Sequence, residues 1–126
     1  MALSTVKATI YAYPNGNDNT QRRQILMGTL AISASPGTYP TGGFSLTNVF
    51  AVEQNKTSNY NTPMYINIYS VSGSGYVYAY NRANNKLQIF TGAAAQSPLA
   101  ELSAGATPAG VSGDTIEFFV EFARNA

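Results

Sequence analysis

Residues 114–123 read DTIEFFVEFA, and their alternation decides the fold. Ile116, Phe118, Val120 and Phe122 fall on one face, with Glu117, Phe119 and Glu121 on the other. That period of two belongs to a strand with one buried side. Working back along the chain, residues 22–33 (RRQILMGTLAIS) are apolar on both faces near the middle. This is the pattern of a central strand covered on both sides or crossing between sheets, and Gly28 within it marks a bulge or a close backbone approach.

The remaining segments follow the same rule. Val6, Ala8, Ile10 and Ala12 alternate with Lys7, Thr9, Tyr11 and Tyr13, and residues 14–19 (PNGNDN) then turn the chain. Residues 35–43 (SPGTYPTGG) read as a Pro/Gly loop, 44–53 as a strand with Asn48 inside it, and 54–62 (QNKTSNYNT) as a polar loop. Met64, Ile66 and Ile68 alternate with Tyr65, Asn67 and Tyr69. A Ser/Gly connection leads into residues 76–80 (YVYAY), which pair as a hairpin with residues 86–91. Residues 91–113 are mostly Ala, Gly, Ser and Pro, with a Leu99–Leu102 segment able to pair at an edge. Seven or eight short strands with turns between them predict an all-β, single-domain antiparallel β-sandwich over residues 1–126, a jelly roll being one closure it allows. Residues 1–5 form a short N-terminal arm.

Composition narrows the function classes. Only 10% of the 126 residues are charged, against about 25% in ordinary proteins, and the net charge is +1. No field points toward nucleic acid or an anionic membrane. A surface of Asn, Ser, Thr, Gly and Tyr desolvates cheaply, as suits a protein that rests against another surface; β-sandwiches in general also share this habit. Cys is absent, which removes disulfides and thiolate chemistry. Residues 1–7 lack the basic and apolar regions of a signal peptide, so synthesis and folding in the cytosol are expected.

Histidine is absent as well, and with it the commonest general base and metal ligand. Glu117 and Glu121 lie about 13 Å apart at strand rise, too far for either glycosidase geometry. Residues 15–19 carry one carboxylate, Asp18, where calcium loops carry several, and read as a turn. No catalytic residue, metal site or cofactor is expected. Arg22-Arg23 reads either as a solvated strand end or as an ion pair with an acidic patch on a partner. Tyr76, Tyr78 and Tyr80 share a face, and Tyr65 and Tyr69 share another; each row is either interface or a second layer of the core, with Tyr78 assigned to the core.

Residues 22–43, 75–92 and 97–123 together resemble, in texture and phrase, the small head-decoration or cement proteins of tailed bacteriophages. That resemblance covers most of the chain and brings no transferable residue motif. It implies an all-β virion protein on the capsid exterior, bound to the major capsid protein as trimers or other local oligomers, bridging capsomers. The expected partner-facing elements are the arm, the 35–43 loop and the 54–62 loop. Leu3, Arg22, Arg23, Tyr39, Pro40 and Tyr60 are the contact candidates, with Tyr39 and Tyr60 as aromatic anchors whose replacement by Ala should leave the fold intact. A carbohydrate- or receptor-binding module of a head fibre or tail is the rival reading.

Overall fold

A computed structural model describes residues 3–12, 23–34, 37–47, 49–50, 63–92 and 95–123. It is all-β and antiparallel, with strands β1 (Val6–Ala12), β2 (Arg23–Ile32), β3 (Thr38–Tyr39), β4 (Phe44–Ser45), β5 (Tyr65–Ser70), β6 (Val77–Asn81), β7 (Lys86–Gly92), β8 (Leu99–Glu101), β9 (Gly105–Ala106) and β10 (Ile116–Ala123). A one-turn helix, α1 (Ala109–Ser112), precedes β10. One sheet runs β1-β2-β10-β5, a second β4-β7-β6 with β8 on the edge of β7, and β3 pairs with β9. The hairpins β1–β2 and β6–β7–β8 keep consecutive strands side by side, an order that does not single out a jelly roll.

The core is one cluster fed by both large sheets. Leu26, Leu30 and Ile32 of β2 and Ile116, Phe118, Val120 and Phe122 of β10 meet Tyr78, Leu87 and Ile89 of the second sheet. Phe50 seals this layer, its ring centroid 4.9 Å from Phe118 and 5.8 Å from Phe122. The alternation in β10 is therefore borne out at all four inward positions.

Gly28 behaves as its place in β2 predicts. Pairing with β1 shifts between Ile10 and Ala12, leaving a bulge opposite Gly28. A Cβ there would collide with the carbonyl oxygen of Thr9 and lie 2.9 Å from the Ile10 Cα. The bulge also corrects the alternation of β1. Ala12 is paired with Met27, and directly opposed residues of an antiparallel pair project to the same side. Ala12 thus sides with the outer face instead of joining Val6, Ala8 and Ile10.

Two further expectations change. Within the described part of 44–53, residues 44–47 and 49–50, the strand is Phe44–Ser45 alone, because Leu46 and Val49 close a turn (Val49 N–H to the Leu46 carbonyl, 3.1 Å). Leu46 and Phe50 are nonetheless buried, so the apolar spacing there served packing without a ladder. The strand count rises above eight because β3, β4 and β9 are two-residue pairings, too short to leave a periodic trace.

Candidate functional site

The outer face of the β1-β2-β10-β5 sheet carries the exposed aromatic surface. Glu117 stands near its centre, directly opposed to Thr29 on β2 and Tyr69 on β5. Its Oε1 accepts hydrogen bonds from the hydroxyls of Tyr69 (3.1 Å) and Tyr11 (3.2 Å). Tyr11 belongs to β1, two strands from β10, a separation of about 9–10 Å at ordinary strand spacing. Its side chain must lie along the sheet over β2 to reach Glu117. Tyr11 is 55% exposed and Tyr69 45%, so both rings remain open to solvent while their hydroxyls are pinned.

The neighbouring row continues the surface. Phe119 is opposed to Met27 and Asn67, and its ring meets that of Tyr65 edge-on at 6.4 Å. Tyr65 is itself 55% exposed. Burial followed by the Glu117 carboxylate raises the Tyr11 phenol above its usual value, and the hydrogen bond to Glu117 does the same for Tyr69. Both stay protonated donors at neutral pH.

A second carboxylate is arranged differently. Asp114 Oδ1 accepts from Ser70 (2.7 Å) and, in a closer contact, Ser72; Oδ2 accepts from Tyr78 (2.6 Å) and Ser74 (2.8 Å). Burial opposes ionisation of this group, but the four hydroxyl donors prevail and hold its pKa at about 2. A carboxylate offers roughly four lone-pair sites, and here each is taken. Such a group has no acceptor capacity left for a substrate proton and is too weak a base at neutral pH. It ties the β5–β6 connection to the start of β10. Among the described residues no group of three or more His, Cys, Asp or Glu could hold a metal ion, and no helix is long and apolar enough to cross a membrane.

The partner-facing candidates separate. Tyr39 is corrected outright: it is 0% exposed, packs edge-on against Phe44 at 5.3 Å, and donates from its hydroxyl to Glu101 (2.7 Å) while accepting from the Ile89 N–H (3.2 Å). The Pro/Gly composition of 35–43 suggested an exposed loop, but Thr38–Tyr39 is a strand paired with β9, and Tyr39 points into the core. A tyrosine so enclosed cannot anchor a partner. Of the arm, residues 3–5 are described, and Ser4 there is tied down: it is buried and its hydroxyl bonds the Ser33 carbonyl (2.8 Å) and the Thr107 hydroxyl (2.9 Å). Leu3 bridges Thr38 yet stays 53% exposed, and Pro40 is partly buried. Arg23 opens β2 opposite Ala123. Arg22, Tyr60 and the 54–62 loop lie outside the described residues.

The tyrosine rows resolve as well. Tyr78 is buried, as assigned, and Tyr76 and Tyr80 pack against the same core. Tyr65 and Tyr69 are the outward row. The sequence reading missed the convergence of Tyr11 on Glu117. Both positions were placed correctly as outward on their strands, but only the sheet order brings β1 and β10 within reach of one another. No family model, no curated protein and no solved structure matches this chain.

Proposed function

We propose that this protein is a non-enzymatic head-decoration protein of a tailed bacteriophage, binding the outer surface of an assembled capsid and stabilising contacts between capsomers. The observation that carries the adhesive reading is the open aromatic face, where Tyr11, Tyr65 and Tyr69 are exposed beside Phe119 and Met27. Tyrosine gives rigid contact area with a polar tip and is enriched at protein interfaces. A chain with 10% charged residues loses little hydration when such a face is covered. The sequence resemblance supplies the capsid as the surface covered, the major capsid protein as partner and the trimer as the favoured oligomer. On a lattice, many modest contacts add through multivalency.

Electron cryo-microscopy of purified particles tests this reading. Density for the chain on an icosahedral shell, with the β1-β2-β10-β5 face or Leu3 turned inward, is the expected result. A chain found on the tail, or failing to co-sediment with any particle, overturns it. One feature favours a second reading: two tyrosine rings beside a carboxylate also suit a neutral saccharide. Saturable binding on a glycan array by the isolated protein would place it among sugar-binding modules.

A further inference from the structure

We propose that the Tyr11–Glu117–Tyr69 row is an arginine-binding site, taking a guanidinium from the surface of a protein partner. The inference rests on the adhesive reading above and gives it a chemistry. Glu117 Oε1 is occupied by two phenolic donors, whereas Oε2 has no hydrogen-bond or ion-pair partner among the described residues. Its described neighbours on the face, Thr9, Thr29, Met27, Phe119, Asn67 and Tyr69, are all uncharged. Lys7, at the far end of β1, stands opposite Ala31, a row beyond Thr9 and Thr29. Glu117 is thus a partly buried negative charge with no countercharge paired to it among the described residues.

The occupant that restores balance is a cation. A planar guanidinium meets both elements of the site, stacking on a tyrosine ring while directing N–H groups at Oε2. Because the tyrosine hydroxyls are pinned to Oε1, the rings are held in place before the ligand arrives, which lowers the entropy lost on binding. A saccharide would use the rings and the acceptor but would leave the charge uncompensated. Lysine would supply the charge without the planar stack.

The test uses the full chain, labelled with ¹⁵N, and an acetylated Gly-Arg repeat peptide against its citrulline counterpart, which keeps the shape and loses the charge. The arginine peptide should shift amides around Tyr11, Glu117 and Tyr69, weakening as salt is raised. Citrulline, Glu117→Gln and Tyr11→Leu should each weaken binding by about fivefold, with thermal unfolding confirming that the variants are folded. Equal response to citrulline, unaltered binding by both variants, or shifts centred elsewhere would overturn the site. So would shifts of these residues by cellohexaose but not by the arginine peptide. Co-sedimentation separates the two proposals. Particles that bind wild type and Glu117→Gln alike remove the arginine site and leave decoration standing, whereas particles that bind neither remove decoration.

Discussion

Asp114 and Glu117 lie three positions apart in the chain and use the same donor chemistry to opposite ends. Asp114 gathers three serine hydroxyls and the buried Tyr78 hydroxyl, filling both carboxylate oxygens. Glu117 gathers two tyrosine hydroxyls on one oxygen and presents the other on an open face. Glu101, bonded by buried Tyr39, belongs with Asp114. The difference lies in remaining acceptor capacity and in which side of the tyrosine is wet. Where the ring is buried the bond locks strands together; where it is exposed the bond fixes a ring face that stays open to solvent and, on the reading proposed above, to a partner.

The hardest break of the sealed side is Tyr39→Ala. It empties a fully buried ring site against Phe44 and strands the Ile89 N–H and Glu101, so a loss of about 3–5 kcal/mol is expected from urea unfolding. Tyr39→Phe keeps the ring and isolates the hydroxyl, with an expected loss of about 1–2 kcal/mol. Equal effects of the two substitutions would show that the polar bonds, not the ring, hold β3 to β7 and β8.

Next comes Gly28→Ala, which probes the frame under the open face. Its Cβ would press on backbone atoms of Thr9 and Ile10, neither of which can swing aside as a side-chain tip would. About 1–3 kcal/mol should be lost. If the bulge alone positions Tyr11, this variant should also weaken the Tyr11–Glu117 contact, visible as a fall of the Tyr11 phenol toward its usual pKa in an ultraviolet titration.

Asp114→Asn comes third. The amide replaces one acceptor oxygen with a donor that faces hydroxyls already oriented to donate, costing about 1–2 kcal/mol. The pH dependence follows from the lowered pKa. A carboxyl depressed in the folded state stabilises fully above its unfolded value, near 4, and that stabilisation is lost as pH falls toward 2. Wild type should therefore lose stability across this window more steeply than Asp114→Asn, and parallel melting curves from pH 5 to about 2 would contradict the assignment.

How much of this was legible in the sequence depended on the range of the interaction. Strand β10, the β6–β7 hairpin and the Leu99–Leu102 edge were readable because alternation and turn residues are local signals. Gly28 was readable as a constrained site because a glycine inside an apolar run has few other uses. Tyr39 was misplaced because its two-residue strand is hidden among Pro and Gly, and its partner Gly105–Ala106 lies far along the chain with no pattern of its own. Val111, fully buried in one helical turn, was lost in the Ala/Gly-rich segment for the same reason. The Tyr11–Glu117 contact required sheet order, which alternation does not encode.

Glu117→Gln should have the smallest effect on stability and is the most informative about the comparison. The amide can keep one carbonyl acceptor for the two hydroxyls, and all three side chains sit on the wet side of the sheet, where water can stand in for a bond that weakens. A change within about 0.5 kcal/mol is expected, as for other surface sites. The tyrosine phenols should respond more: with the carboxylate gone, Tyr69 loses the charge that helps raise it and keeps only a weaker bond to a neutral carbonyl, and Tyr11 loses part of its upward shift. A stability loss as large as that of Asp114→Asn would mean that Glu117 also works as a lock, and the open face would then be a structural layer of the sheet and not a surface kept for a partner.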